Sequence, residues 1–171
     1  MRAVPTRKLD KRITRVWRLS AAINVIFWSL LCMAPTLIFQ VIDSAPGAEG
    51  ADSLFGLTVA NTVLGIVAVV AFIVFVVIVP KIRWIQWSFE VYDQEIDIHK
   101  GIFWKKRIII PLIRVQNVDT KQGPILRANG LASFTVATAA GPHEIPGLKV
   151  EEADSLRDRV AVLARIAQED V

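Results

Sequence analysis

Two runs without a charged side chain, residues 19–42 (24 residues) and 54–79 (26 residues), constrain this chain more than any other feature. As helices rising about 1.5 Å per residue they would measure roughly 36 to 39 Å, against about 30 Å of bilayer hydrocarbon. Both are long enough to span. The second is apolar on every face from Val67 to Val79, so it has no amphipathic stripe with which to dock on a soluble core. The first carries Asn24, Ser29, Pro35, Thr36 and Gln40. Polar groups in lipid need partners, so Asn24 and Gln40 are expected to face the second helix or an interface. Gly56 and Gly65 would permit close helix approach without forming a GxxxG pair.

A signal peptide is the competing reading of the first run, since basic residues precede it. Signal h-regions run about 7 to 15 residues, shorter than this stretch, and a second span follows after eleven residues. A retained hairpin is therefore expected. Its boundaries are a basic cytoplasmic tail (1–18), a first span (19–42), an external loop (43–53), a second span (54–79) and a cytoplasmic domain (81–171).

The formal net charge of +4 gains meaning only when divided along the chain. Residues 1–18 hold +6, residues 43–53 hold −3, and residues 80–171 hold +1. The nearly neutral C-terminal part is a poor match for a phosphate-covering surface, so no nucleic-acid partner is expected. Lys and Arg crowd the segment before the first span, are missing from the connection, and return at Lys81 and Arg83, which puts both termini in the cytoplasm of a multi-pass cell-membrane protein. Trp17, Trp84 and Trp87 are read as interfacial anchors. No ionisable group lies within either span, which weakens an ion-pathway reading. One cysteine and two histidines supply neither an internal disulfide nor the usual four zinc ligands, so no metal or cofactor is expected.

Beyond Pro80 the pattern changes to short alternating runs. Strands are predicted at 87–92, 95–100, 102–110, 115–121, 124–128, 132–138 and 143–145, with Lys100-Gly101 closing a hairpin into the third. From 150 to 168, Ala153, Leu156, Val160, Leu163, Ala164 and Ala167 recur at three- and four-residue spacing, with Glu151 and Glu152 in the first turn. That is an amphipathic helix with charges suited to its dipole.

The stretch Arg114-Val115-Gln116-Asn117-Val118, joined to Gln122-Gly123-Pro124 and Arg127-Ala128-Asn129-Gly130-Leu131, and followed by Thr138-Ala139-Ala140-Gly141 and Ile145-Pro146-Gly147-Leu148, resembles the bacterial pleckstrin-homology-like family of small membrane proteins (bPH2, YdbS-like, DUF304). The resemblance covers roughly residues 84–165, and the two preceding spans match the family's layout. It implies a transmembrane hairpin followed by an α+β domain, a seven-stranded half-open antiparallel barrel capped by the C-terminal helix. It implies a binding module and no particular reaction.

Two groups of candidate residues follow. Arg114, Gln116, Asn117, Gln122 and Arg127 are the polar residues of the family-like stretch and form a candidate partner-binding patch; their structural alternative is satisfying turns or pairing with Asp119 and Glu144. Arg12, Arg15, Lys81, Arg83, Lys105 and Arg107 are candidate anionic-lipid contacts, since each Lys or Arg near an anionic surface contributes about 1 kcal/mol. Alternation through 102–110 would split Lys105 and Arg107 from Lys106 onto opposite faces, which argues against a specific headgroup site. No nucleophile, base and orienting acid share a motif, and Cys32 would lie in lipid. The chain therefore reads as a non-catalytic, membrane-tethered interaction or assembly module. Its partners are the bilayer and another membrane protein or a second copy. The alternatives are anionic-lipid headgroup binding and an auxiliary role in a membrane transport or stress-resistance system.

Overall fold

The computed structural model describes residues 5–43 and 51–169; the expected external loop lies mostly outside the described residues, at 44–50. The chain divides into two compact units, residues 17–80 and a second unit built from residues 1–16 together with 81–171.

The first unit is made of long apolar helices. Helix α1 runs Ile13–Asp43 and α2 runs Ala51–Phe72, continuing through a π-helical stretch, Ile73–Ile78, into α3, Val79–Gln86. Two stretches, Ile13–Ile42 and Phe55–Gln86, are long and apolar enough to cross a membrane. Ile23, Phe27, Leu30, Ile38, Val41, Phe55, Ile66 and Val69 all stand exposed on them. So continuous an apolar surface is unfavourable in water and suited to lipid. The π-helical stretch has a local cause. Pro80 has no N–H to give, and its ring would strike the carbonyl four residues back in a regular helix. The widened turn, in which the Val79 N–H reaches the Val74 carbonyl, relieves that clash and lets the helix pass through the proline.

Polar residues join the two long helices. Thr36 Oγ1 donates to Asn61 Oδ1 at 2.5 Å, Asn61 Nδ2 to Gln40 Oε1 at 3.1 Å, and Gln40 Nε2 to Thr58 Oγ1 at 3.2 Å. Such bonds contribute about 0.6 kcal/mol each in membrane proteins. Asn24 does not cross over; its Nδ2 donates to the Ser20 carbonyl of its own helix. A Cβ added at Gly56 or Gly65 would meet nothing within 4 Å, so neither glycine mediates close packing.

The second unit holds six strands rather than seven, in two three-stranded antiparallel sheets and without a closed barrel among the described residues. One sheet has the order β1 (Ser88–Val91), β2 (Glu95–Lys100), β3 (Lys106–Pro111). The other has β4 (Val115–Lys121), β5 (Leu131–Thr138), β6 (Gly141–Lys149). The 3-10 turn Leu112–Arg114 connects them, and the C-terminal helix, here α5 (Val150–Glu169), packs on that turn and on β4, β5 and β6. Phe89, Ile96, Ile98, Leu112, Phe134, Val136, Ile145, Leu148 and Val160 are fully buried. Trp87 is buried as well, 3% exposed, so it belongs to this core and not to a membrane interface.

The segment expected as a seventh strand, 124–128, is instead the short helix α4, Pro124–Ala128. Pro124 supplies the fixed φ of a first helical turn and lacks the N–H that a ladder would require. The third strand also starts later than alternation suggested, at Lys106, because residues 101–105 form a loop. Gly101 sits at φ 127°, and a Cβ there would strike the Trp104 carbonyl oxygen, so the tight bend depends on glycine.

Residues 5–16 are built into this domain. Leu9 and Ile13 are buried to 2% and 1% exposure. Arg7 forms an antiparallel bridge with Phe89 on β1, the Asp10 N–H donates to the Gly147 carbonyl, and Trp84 Nε1 donates to the Leu9 carbonyl at 2.8 Å. The edge of β1 is thus covered by the chain's own N-terminal segment. Asp10 then starts α1, its carboxylate accepting the Arg12 N–H at 2.8 Å.

Glu90 on β1 helps hold that segment. The Thr6 backbone N–H and hydroxyl donate to its Oε2 at 3.0 and 2.8 Å, and chiefly the Thr6 N–H holds the carboxyl below its ordinary value of 4.5. A depressed carboxylate stabilises the docked form above its ordinary range, and that contribution is lost as pH falls through the folded value. Acidification below about 4.5 is therefore expected to lower the amide protection factors of Thr6 to Leu9, while Glu90→Gln should lower them already at neutral pH and remove their dependence on acid.

Candidate interaction groove

The turn between the two sheets builds one wall of a concavity in the domain. Pro111 leaves β3 in extended conformation, Leu112 turns inward to full burial, and the next two side chains, Ile113 and Arg114, are thereby turned outward. Beside them lies a groove of about 690 Å³, lined by Ile109, Ile113, Arg114, Gln116, Ala139 and His143 among others. β3 bonds only to β2 and β4 only to β5, so the groove lies where the chain passes between two sheet edges.

Arg114 is exposed and makes no hydrogen bond or salt bridge among the described residues. His143 is held below its ordinary value of 6.5, first by burial and then by the charges of Lys100 and Lys106. It is therefore neutral at pH 7, which leaves Arg114 as the groove's full positive charge. An apolar wall with a guanidinium left unpaired among the described residues suits an extended segment that carries a carboxylate.

The other polar residues of the family-like stretch lie elsewhere. Asn117 is exposed on β4 outside the groove lining. Gln122 Nε2 donates to the Leu131 carbonyl at 3.0 Å, a structural tie beyond the far end of the strand. Arg127 is on α4, past the end of the seven-residue β4, so roughly 20 Å of strand lies between it and Arg114. Neither Arg114 nor Arg127 is ion-paired with Asp119 or Glu144.

The candidate lipid contacts differ in how far they are engaged. Arg12, Arg15, Lys81, Arg83 and Lys105 are exposed. Arg107 is occupied, its Nε and Nη2 donating to Asp97, with the shortest contact at 2.6 Å. That carboxylate raises the pKa of the guanidinium further. Asp97 is 1% exposed, and His99 Nε2 lies 3.3 Å from it without hydrogen-bond geometry. The register Asp97↔Ile109 and His99↔Arg107 brings these groups together, a pairing no local pattern announces. The arrangement pins β2 to β3. Ser88 stands opposite His99 on β1, and no hydrogen bond joins them among the described residues.

Sequence reasoning also missed the exposed pair Phe103 and Trp104, each 88% exposed in the 101–105 loop. The signal was available: Ile102-Phe103-Trp104 is three consecutive apolar residues after a glycine, which breaks strict alternation.

A profile of the bacterial PH domain family matches residues 48–164, more than half of the chain. The chain belongs to the bacterial PH domain family. Within that family it is similar to the UPF0699 transmembrane protein YdbS of Bacillus subtilis (strain 168), 52% identical over 85 residues, covering 50% of this chain and 54% of that protein. It is also similar to the UPF0699 transmembrane protein YdbT of the same organism, 27% identical over 81 residues, covering 45% of this chain and 16% of that protein. The matches thus span about half of the first relative and less of the second. No solved structure gives a significant match. Together with the two long apolar helices, these relationships make this bacterial PH domain protein a YdbS-like membrane protein.

Proposed function

We propose that this protein is a non-catalytic, membrane-tethered interaction module whose PH-like domain lies on the cytoplasmic face and holds an extended segment of a protein partner in the groove beside Arg114. The groove is the observation that carries this reading, since it combines apolar walls, neighbouring sheet edges and a cation unpaired among the described residues. The orientation rests on the crowding of Lys and Arg before the first span and after the second, at Lys81 and Arg83, with none in residues 43–53. Tethering confines the domain to a thin layer, so a weak groove interaction with another membrane protein, or with a second copy, becomes effective.

The test is photo-crosslinking in native membranes from a probe at Ile113. Arg114→Glu is expected to lower capture of a defined neighbour roughly 30-fold, the equivalent of about 2 kcal/mol for a charge left without its partner. Arg127→Glu, on α4, should leave capture unchanged. Equal capture by folded wild-type and groove variants would overturn the reading.

A further inference from the structure

We propose that the loop of residues 101–105 is a membrane-interface anchor that sinks Phe103 and Trp104 into the anionic leaflet beside which the domain is tethered. This inference stands apart from the groove and does not depend on it.

Three observations converge on this loop. First, Phe103 and Trp104 are adjacent in sequence, 88% exposed each, and together at the tip of a bend whose glycine fixes its shape. The aromatic contacts among the described residues do not include either ring. Large aromatic side chains on a shaped loop favour the headgroup boundary, where an apolar body and a polar edge are both satisfied. Second, the loop is bracketed by cations. Lys100 and Lys106 face each other directly in the β2–β3 ladder, and Lys105 is next to Trp104. Like charges directly opposite one another oppose strand pairing unless an anion lies near. No carboxylate ion-pairs with any of the three among the described residues. Aromatics at the tip with lysines at the shoulders are chemically complementary to a leaflet of anionic lipid, which offers acyl chains below a layer of phosphates.

Third, the base of the loop is tied to a residue that follows the second apolar run closely in sequence. The Gln86 side-chain amide, its nitrogen turned toward them, donates to the carbonyls of Gly101 and Ile102. Gln86 follows Pro80 by six residues in an unbroken helix. Arg107 takes no part, since Asp97 holds it, so the attraction is assigned to Lys100, Lys105 and Lys106.

The experiment uses the full chain with Cys32→Ala and Phe103→Cys, labelled with a polarity-sensitive fluorophore and placed one copy per nanodisc in phosphatidylglycerol and phosphatidylcholine. The expected result is blue-shifted emission, quenched by lipids that carry a nitroxide on the acyl chain; the same label at Ala161→Cys, exposed on α5, should report water. Lys105→Gln with Lys106→Gln should lower the inserted population about fivefold per lysine, and Lys→Glu at both positions by more, with added salt acting in the same direction. Water-like emission from position 103 would overturn the proposal. So would a blue shift without lipid quenching, which means protein covers the loop, or a shift seen only with two copies per disc, which means a second chain does. Insertion indifferent to the lysine substitutions would also overturn the assigned electrostatics.

Discussion

Alanine at Gly147 is expected to unseat residues 5–16 from the domain. Gly147 lies at φ 68°, a conformation that costs a residue with a Cβ roughly 1 to 2 kcal/mol. The added methyl would also sit 2.5 Å from Ile13 Cβ and Cγ1, the root of a side chain and not a flexible tip. Overpacking of that kind costs roughly 1 to 3 kcal/mol, so the sum is about 2 to 5 kcal/mol. The segment can respond by lifting away, which would also break the bond from the Asp10 N–H to the Gly147 carbonyl. Limited proteolysis at Lys8 and Lys11 should become fast while cleavage within β4 to β6 stays slow. Gly123→Ala is the matched control, since φ is −72° there and the added Cβ meets nothing within 4 Å. Its effect should stay within about 0.5 kcal/mol. Unchanged proteolysis of Gly147→Ala would show that the N-terminal segment is not held by this contact.

Adjacent residues of the turn after β3 should separate stability from recognition. Leu112 is 0% exposed beneath α5, and Leu112→Ala is expected to destabilise the domain by about 2 to 5 kcal/mol through lost burial and a residual cavity. Ile113, 44% exposed at the groove, should tolerate alanine within about 0.5 kcal/mol, yet Ile113→Ala should weaken capture of the partner. Denaturant midpoints measure the first effect, and crosslinking from a probe at Ala139 measures the second. A large stability loss at Ile113, or none at Leu112, would contradict the burial assigned to this turn.

The positions of these two contacts explain what was hard to foresee. Leu112 and Ile113 are consecutive apolar residues after a proline, and nothing local says which one turns inward. Ile13 is an isolated apolar residue among Lys11, Arg12 and Arg15, so composition presents its neighbourhood as a basic tail. Its burial requires a glycine far along the chain, just as Thr6 finds its acceptor at Glu90, 84 residues away.

What the sequence determined by itself is whatever one short window can express. Runs without charge mark the apolar helices because exposed apolar surface is unfavourable in water wherever it occurs. Alternation marks Glu95–Lys100, and three- and four-residue spacing marks Val150–Glu169, because each face of a regular element repeats at a fixed period. Only the tertiary structure decided that residues 5–16 cover the edge of β1 and that Arg107 is held by Asp97 while Arg114 stays open among the described residues. These outcomes depend on which distant surfaces meet, and the free energy of such a meeting belongs to both partners at once.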